Sequence, residues 1–215
     1  MVKDRPIAAL FDCDGVVLDT ESQYTILWDQ LGERYHPEIP HFGHSIKGQT
    51  LTYILQTYFP DPEIQRSLTK ALYDYEHNMA YDYIPGAYEF LKDLKAHGIK
   101  VVLVTSSDHG KMSNVYRAHP EFTSLFDRIL TSEDFTASKP DPCCYLLGAQ
   151  VSDAPQENCV VFEDSFNGIK AGKAAGIFTV GLATTNSRES ISSLCDYVVD
   201  DFRNFTATSM LELLK

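Results

Sequence analysis

The stretch FDCDGVVLDTES, residues 11–22, places two aspartates one residue apart directly after an apolar run. The run that leads into it, IAALFDC at 7–13, is short, continuous and apolar, which is typical of a buried strand. Residues two apart on an extended strand project to the same side. We therefore predict that Asp12 and Asp14 point together out of the strand end, while Cys13 points the opposite way and packs in the core.

Short β-rich runs recur along the rest of the chain and alternate with segments of helical periodicity. They are KVVLVTS (100–106), DRIL (127–130), CVVFED (159–164), IFTVGL (177–182) and DYVV (196–199). Continuous apolar strands that alternate with helices indicate a parallel sheet covered on both faces. We predict an α/β fold with a three-layer, Rossmann-like parallel sheet as its core.

One interval breaks this rhythm. Residues 14–99 separate the first strand from the second, which is far more chain than a single crossover helix requires. Three segments within the interval have helical patterns, at 21–34, 49–59 and 62–80. Pro85 and Gly86 then interrupt the chain before an amphipathic stretch that ends at Gly98. We predict an α-helical cap domain at 20–83, inserted into a core domain made of residues 1–19 and 84–215.

The composition limits the classes of partner. The chain has 215 residues, a net charge of −12 and 44% hydrophobic residues, which favours a globular protein and opposes a broad nucleic-acid or anionic-membrane surface. No window approaches the roughly 18 uninterrupted apolar residues of a membrane span. Five cysteines without paired CxxC spacing favour free thiols. We expect a cytoplasmic monomer without nucleic-acid or membrane partners.

Polar residues follow the ends of other predicted strands. The hydroxyl residues after the second strand and the acidic residues after a later one are Thr105, Ser106, Ser107, Glu163 and Asp164. Ligands bind beyond the carboxyl ends of parallel strands, so these groups are expected beside Asp12 and Asp14. The segment TASKPDP, at 136–142, adds Lys139 in a loop before a helix.

Four carboxylates in one place repel one another and stay ionised at neutral pH only if a positive charge compensates them. All-oxygen ligation suits Mg²⁺ more than Zn²⁺, and no His or Cys joins the cluster at ligand spacing. A carboxylate beside a metal can attack phosphorus, provided that cations and hydroxyl donors neutralise the phosphoryl charge. These groups would be supplied by Asp12, Mg²⁺, Lys139 and Thr105. Asp14 could act as general acid and base.

Four stretches together carry a resemblance to a known family. They are DCDGVVLDTES (12–22), VTSS (104–107), SKPDP (138–142) and FEDSFNGIKAGKAAGI (162–177). In order and spacing they resemble the motifs of the haloacid dehalogenase superfamily, in the branch of small phosphatases and β-phosphoglucomutase-like enzymes with a helical cap inserted after the first strand. With all four present, an interpretation of the two aspartates as mere turn residues is disfavoured.

The resemblance implies a role for each matched core position. Asp12 would be the nucleophile and a metal ligand, and Asp14 would be the general acid and base. Thr105 would hold a phosphoryl oxygen, and Lys139 would bridge the nucleophile and the phosphate. The presence of Asp14 also argues against a true dehalogenase, which has no leaving oxygen to protonate.

The remaining core positions are implied to bind metal and phosphate. The metal shell would consist of Asp12, Asp14, Glu163 and Asp164, with Asp14 contributing its backbone carbonyl and Glu163 a supporting role. Ser106 would bind phosphoryl oxygens, and we assign Ser107 to the substrate site with it.

The cap is expected to contact the leaving group. The loop HSIKGQTLTYIL resembles the specificity loop of the mutases, and Lys47 and Gly48 match it. Tyr24 stands where the mutases carry a histidine, and Leu51 where they carry an arginine for a second phosphate. His109 also departs from the mutase pattern. We predict substrate contacts from Lys47, Gly48, Tyr24 and His109.

These departures favour a hydrolase. Lys47 alone would not replace a bidentate arginine fork on a second phosphate, and a mutase must also protect its phosphoenzyme from water. We therefore predict a Mg²⁺-dependent phosphatase of small phosphorylated metabolites, with sugar phosphates as the favoured class. β-Phosphoglucomutase is the alternative. A non-catalytic binding protein on the same fold is a third possibility, which the intact core motifs oppose.

Other polar residues are interpreted as structural. Asp19 and Glu21 are expected to cap the first cap helix and are left out of the site. His41 and His44 lie three apart, but Pro40 indicates a loop there, without a third metal ligand.

Overall fold

The computed structural model describes residues 6–215 and contains one six-stranded sheet. The strands are β1 (Ala8–Phe11), β2 (Lys100–Val104), β3 (Arg128–Leu130), β4 (Cys159–Glu163), β5 (Phe178–Leu182) and β6 (Tyr197–Val199). They are all parallel and lie in the order β3-β2-β1-β4-β5-β6. The predicted parallel sheet is confirmed. The runs of β1, β2 and β4 end earlier than predicted, because their last residues leave the ladder to form the site.

The central strand is buried on both faces, which explains its continuous apolar sequence. Ala9 and Phe11 join one hydrophobic cluster, and Ala8 and Leu10 join the cluster on the opposite face. Cys13 is buried in the same cluster as Phe11, as predicted. The sheet is therefore the middle layer of three.

Helices form the outer layers and the inserted segment. Their bounds are α1 (Glu21–Tyr35), α2 (Phe42–Ser45), α3 (Leu51–Tyr58), α4 (Pro62–His77), α5 (Ala87–Ala96), α6 (His109–Ala118), α7 (Cys143–Val151), α8 (Phe166–Ala174), α9 (Arg188–Ile191) and α10 (Ala207–Leu213). Residues of α5, α6 and α10 pack on one face of the sheet, and residues of α7 and α8 pack on the other.

The four helices between β1 and α5 have a hydrophobic cluster of their own. It is built around Trp28, Phe42 and Phe59, whose rings lie 6.0–6.5 Å apart. Two of the predicted helices are shorter than expected, at Leu51–Tyr58 and Pro62–His77. The loop expected around His41 contains the short helix α2, because Phe42 anchors that turn in the cluster. The division into core and cap stays a prediction, and this separate cluster is consistent with it.

The register of the central strands aligns their carboxyl ends. Phe11 pairs with Leu103 on one side and Phe162 on the other, and the rings of Phe11 and Phe162 stack at 4.6 Å. One residue further on, the Asp12 amide donates to the Phe162 carbonyl at 3.1 Å, which brings Asp12 next to Glu163. The order of strands reverses at β1, so this edge is the switch point where ligands bind in such sheets.

Within residues 6–215 the five cysteines are all free thiols, as predicted. No helix in this described part of the chain is long and apolar enough to cross a membrane.

Candidate active site

A buried lysine joins two of the strand ends. The Lys139 ammonium donates to Asp12 Oδ1 at 2.8 Å and to Glu163 Oε1 at 2.7 Å, and Lys139 is only 2% exposed. Burial by itself lowers the pKa of Lys139, but the carboxylates of Asp12 and Glu163 outweigh it and raise the pKa well above its usual value. The loop before α7 therefore delivers a permanent positive charge to the carboxyl end of β1.

Glu163 is held in place by donors to both of its oxygens. Besides Lys139, the Tyr145 hydroxyl donates to Oε1 at 2.9 Å. Oε2 accepts from the amides of Asp164 and Ser165 and from the Ser165 hydroxyl, each at 3.0 Å. The lone pairs of Glu163 are thus largely occupied, so its role is to position Lys139 and the neighbouring backbone.

The carboxylates at this edge fit a metal ion. Ligand atoms of Asp12, Glu163 and Asp164 all lie within 4.8 Å of one another, and all three residues are buried. Asp164 Oδ2 is buried and has no hydrogen-bond partner in the described chain. Burial, followed by the charges of Glu21, Glu163 and Asp12, raises the pKa of Asp164 well above its usual value. A cation at this point would interact with the unpartnered Asp164 oxygen and would offset the repulsion between the carboxylates.

The pKa of Asp12 is also raised by burial and by neighbouring carboxylates. Burial raises the pKa of Asp12 to about 7; the Lys139 charge opposes this shift, while the charges of Glu163 and Asp14 add to it. An all-oxygen donor set of this kind suits a hard divalent cation. Asp12 and Asp164 have free lone pairs for such a cation. The Asp14 side chain is engaged by Lys111 and Ser107, and the metal contact that the family resemblance implies for its backbone carbonyl stays a prediction.

The Asp14 carboxylate accepts hydrogen bonds from three groups. The Lys111 ammonium and the Thr20 hydroxyl both donate to Oδ1, and the Ser107 hydroxyl donates to Oδ2 at 3.0 Å. Burial raises the pKa of Asp14, but Lys111 and the hydrogen bonds from Lys111, Thr20 and Ser107 together outweigh it and lower the pKa. Asp14 is therefore stabilised as a carboxylate.

The residues after β2 form a hydroxyl cluster. Thr105 is fully buried, and its Oγ1 accepts from the Ser107 amide at 3.1 Å, which leaves the hydroxyl proton free for a ligand. The Ser106 hydroxyl donates to the carbonyl of Gly48 at 2.7 Å. Asp108, whose Oδ1 accepts from the Lys111 amide at 2.9 Å, caps α6 directly after this cluster.

The loop between α2 and α3 docks on the core beside these residues. The Thr50 amide donates to the Ser138 hydroxyl at 2.9 Å, and the Asn167 side-chain amide donates to the Lys47 carbonyl at 2.8 Å. Gly48 has φ +78°, and a Cβ atom there would lie 2.6 Å from Ser165 Oγ. Only glycine allows the loop to approach the core this closely.

Side chains from α1, α4 and α6 meet above the site. Lys47 forms a buried ion pair with Glu21, and the Lys111 ammonium lies 4.6 Å from the centre of the Tyr24 ring. The Tyr24 hydroxyl donates to Glu76 Oε1 at 2.7 Å. The prediction that Glu21 caps α1 is wrong. Thr20 occupies the N-cap position of α1, so Glu21 is free to turn inward toward Lys47.

These groups line a cavity of about 100 Å³ between the core and the inserted helices. Its lining residues are Asp12, Asp14, Glu21, Tyr24, Trp28, Gly43, Ile46, Lys47, Gly48, Gln49, Leu51, Ile54, Leu72, Glu76, Ser106, Ser107, Asp108 and Lys111. The cavity has a charged floor and an upper wall that is mostly apolar, which suits a phosphate ester with its leaving group toward the inserted helices.

Comparisons with known proteins agree with this geometry. The haloacid dehalogenase-like hydrolase family matches residues 8–176. The chain belongs to this family. The segment matched begins at β1 and includes all the core residues described above, from Asp12 to Asp164.

Curated relatives of this haloacid dehalogenase-like hydrolase include phosphatases and a mutase. A phosphorylated carbohydrates phosphatase of Thermotoga maritima is 30% identical over 79% of this chain and 82% of its own length. The β-phosphoglucomutase of Bacillus subtilis is 29% identical over 81% and 82%. The family and its phosphatase relatives support a phosphoric monoester hydrolase.

Some relatives are much longer. The chain spans 20% of the chloroplastic protein SUPPRESSOR OF QUENCHING 1 of Arabidopsis thaliana, at 26% identity over 95% of this chain. It spans 31% of the bifunctional riboflavin kinase/FMN phosphatase of the same plant, at 28% identity over 54% of this chain.

Solved structures share the whole architecture. The β-phosphoglucomutase of Clostridium difficile superimposes with a TM-score of 0.77 at 25% identity, covering 97% of both chains. A hydrolase from Pseudomonas syringae has a TM-score of 0.80 at 21% identity and covers 96% of this chain and 99% of its own.

The structure brings most of the predicted site residues together. The predicted site residues on the cavity wall are Asp12, Asp14, Tyr24, Lys47, Gly48, Ser106 and Ser107. Asp12 accepts a hydrogen bond from Lys139, and it lies within 4.8 Å of ligand atoms of Glu163 and Asp164. His109 is not brought to the cavity, since its ring pairs with Glu133 at 3.4 Å and its side chain is 73% exposed.

Three charged residues of this haloacid dehalogenase-like hydrolase were missed in the sequence, namely Lys111, Glu76 and Glu21. A signal existed for Lys111, because a lysine in the first turn of a helix opposes the helix dipole and needs a nearby anion. Glu76 also had a weak signal, since it extends the buried face of Leu68 and Leu72 on α4.

Proposed function

We propose that this haloacid dehalogenase-like hydrolase is a Mg²⁺-dependent phosphatase of small phosphorylated metabolites, with sugar phosphates as the favoured class and Asp12 as nucleophile. The observation that supports it most directly is the contact of the buried Lys139 ammonium with Asp12 at 2.8 Å, next to Asp164, whose Oδ2 has no hydrogen-bond partner within residues 6–215. The phosphorylated carbohydrates phosphatase among the relatives supports the substrate class.

In the first step an Asp12 carboxylate oxygen attacks the phosphorus of the ester. The bond between phosphorus and the leaving oxygen breaks, and Asp14 gives a proton to that oxygen. Because the contacts of Asp14 lower its pKa, only the minor protonated form of the enzyme is competent for this step. The products of this step are a free alcohol, a phosphorylated Asp12 and an Asp14 carboxylate.

In the second step the Asp14 carboxylate takes a proton from water while the water oxygen attacks phosphorus. The bond between phosphorus and Asp12 breaks, which releases inorganic phosphate and restores the Asp12 carboxylate. Asp14 ends this step protonated and is ready for the next ester. The contacts from Lys111, Thr20 and Ser107 suit the carboxylate form that this step needs.

Neutralisation of the phosphoryl charge falls to the groups around Asp12. Lys139 lies within reach of both the nucleophile and a phosphoryl oxygen, and the free Thr105 hydroxyl proton is a further donor. Asp12, Asp164 and the Asp14 carbonyl would hold Mg²⁺, which supplies additional positive charge to the phosphoryl oxygens when bound.

A β-phosphoglucomutase activity is the second candidate, because a mutase of this kind is among the relatives and Lys47 and Gly48 match the mutase loop. Two observations oppose it. Lys47 is already neutralised by Glu21, and Leu51 places an apolar side chain on the cavity wall where a second phosphate would need a cation.

The test is phosphate release from a panel of sugar phosphates, nucleotides and 4-nitrophenyl phosphate with Mg²⁺, run beside an assay for conversion of β-glucose 1-phosphate to glucose 6-phosphate. We expect release without isomerisation, and a loss of at least about a thousandfold in Asp12→Asn. Asp19→Asn is the matched control, because Asp19 is exposed and outside the cavity lining. Isomerisation without release would establish the mutase, and wild-type release that survives Asp12→Asn would refute the proposed nucleophile.

The cytoplasmic location, the monomeric state and the lack of nucleic-acid and membrane partners stay predictions from the sequence. One longer relative is chloroplastic by name.

A further inference from the structure

An acidic residue that lines the upper part of the cavity has an unused carboxylate oxygen. Glu76 is 4% exposed, and its Oε1 accepts from the Tyr24 hydroxyl at 2.7 Å. Its Oε2 is buried and has no hydrogen-bond partner among residues 6–215. A buried polar atom without a partner costs free energy, and a ligand that supplies a donor recovers that cost.

The surroundings of Glu76 restrict the kind of donor. The wall on this side of the cavity is apolar, and its members are Trp28, Ile46, Leu51, Ile54 and Leu72. Gln49 also lines the cavity, and its buried side-chain oxygen has no partner in the part of the chain that the structure describes; its amide can turn to present either group. The wall therefore fits a leaving group with an apolar face and a few hydroxyl groups.

The charge balance of the cavity opposes a second anionic group on the ligand. Its lining includes five acidic residues, namely Asp12, Asp14, Glu21, Glu76 and Asp108, and only two lysines. Both lysines are already paired, Lys47 with Glu21 and Lys111 with Asp14. A second phosphate would meet uncompensated negative charge there.

A hydroxyl donor suits the unused Glu76 oxygen without adding charge next to Lys111, whose ammonium lies 4.6 Å from the centre of the Tyr24 ring.

We infer that Glu76 is a specificity determinant that accepts a hydrogen bond from a hydroxyl of the leaving group, so that the substrates are monophosphates of hydroxyl-bearing molecules rather than bisphosphates. This inference rests on the proposed phosphatase function. It assigns a role to a cap residue outside the family motifs quoted above.

The test compares wild type with Glu76→Gln and with Glu63→Gln. Glu63 lies on the same helix, exposed and outside the cavity, so it is a matched control for the chemical change. The probes are ribose 5-phosphate, glucose 6-phosphate, their 2-deoxy analogues, glucose 1,6-bisphosphate and 4-nitrophenyl phosphate. The measured quantity is kcat/KM for each sugar phosphate divided by kcat/KM for the aryl phosphate.

We expect this ratio to fall about tenfold or more in Glu76→Gln for at least one sugar monophosphate and to keep its wild-type value in Glu63→Gln. We also expect the bisphosphate to be a poorer wild-type substrate than the monophosphate. An unchanged ratio in Glu76→Gln, or a preference for the bisphosphate, would overturn the inference.

Binding separates the inference from the proposed function. Calorimetric titration of the same sugar monophosphates into Asp12→Asn needs no turnover, and adding Glu76→Gln to that variant should weaken binding about tenfold. Binding of this kind without hydrolysis by the wild type would refute only the phosphatase proposal. No binding of any sugar monophosphate to Asp12→Asn, or binding that Glu76→Gln leaves unchanged, would refute the role of Glu76.

Discussion

Lys111 forms a buried ion pair with Asp14, although it stands in the first turn of α6, where a cation opposes the helix dipole. Its side chain is 3% exposed and that of Asp14 is 14% exposed. The Asp14 carboxylate compensates both the burial and the unfavourable helix position of Lys111, and it raises the pKa of Lys111 against the opposing effect of burial. The pair thus connects the segment after β1 to the first turn of α6.

Breaking this pair from either side should destabilise the protein. Lys111→Met keeps most of the side-chain volume but leaves Asp14 buried without a cation, so we expect a loss of about 3–5 kcal/mol in the free energy of unfolding. Asp14→Asn should also cost stability. The double variant should be less destabilised than the sum, by about 2 kcal/mol, in urea denaturation at neutral pH.

The exposed pair of Lys173 and Asp196 provides the control for this cycle, because Lys173→Met should cost less than about 1 kcal/mol. Additive effects of Lys111→Met and Asp14→Asn would show that the two residues do not stabilise each other.

The sequence was sufficient for the parts of the molecule that depend on strand order. Asp12 and Thr105 directly follow β1 and β2, and Glu163 is the last residue of β4, so the alternation of strands and helices and the rule for parallel sheets bring them to one edge. It was insufficient for Lys111 and Glu76. Their long side chains reach the site from helices, and whether they do depends on how the inserted helices dock on the core.

Gly168 shows a constraint that only the packing reveals. A Cβ atom at this position would lie 1.7 Å from Glu163 Oε1 and 1.9 Å from its Cδ. Glu163 cannot move aside, because donors hold both of its oxygens. The motif places a glycine on α8 so that this helix can pass directly over the Glu163 carboxylate.

Gly168→Ala should therefore cost about 3 kcal/mol of unfolding free energy, the upper end of the usual range for overpacking, and should lower activity by displacing Glu163 from Lys139. Gly98→Ala is the comparison, since Gly98 has φ +70° with nothing within 4 Å of the added atom and should cost only about 1 kcal/mol. Urea denaturation measures both. Gly168 has no positive φ, so its cost comes from the contact with Glu163, and a cost no larger than that at Gly98 would mean that this contact is relieved by a small shift.

Metal binding should raise the free energy of unfolding. Without metal, Asp164→Asn should be more stable than wild type, because it removes one of the buried carboxylates that repel one another. Addition of Mg²⁺ at about a hundredfold excess over its Kd should stabilise wild type by about 2.7 kcal/mol and Asp164→Asn much less. Thermal unfolding with and without EDTA measures this, with Asp19→Asn as control. Equal stabilisation of wild type and Asp164→Asn would place the metal elsewhere.

The pH dependence of stability should report on Glu76. Burial raises its pKa to about 7 against the charge of Lys111 and the Tyr24 hydrogen bond, while the charges of Asp108 and Asp14 add to the rise. A carboxyl whose folded pKa exceeds its unfolded value binds protons more tightly in the folded state. Its ionisation therefore destabilises the fold progressively as pH rises from about 4.5 to about 7, and the full cost persists above that range.

Glu76→Gln lacks this ionisation, so its free energy of unfolding should increase relative to that of wild type as pH rises. Between pH 5 and pH 8 we expect its advantage in unfolding free energy to grow by about 2 kcal/mol, as measured by urea denaturation of the metal-free proteins. Glu63→Gln should show no such trend, because Glu63 is exposed on the same helix. A constant difference between wild type and Glu76→Gln would mean that the Glu76 carboxylate already has a compensating donor in the folded protein, and a ligand hydroxyl would then gain little by contacting it.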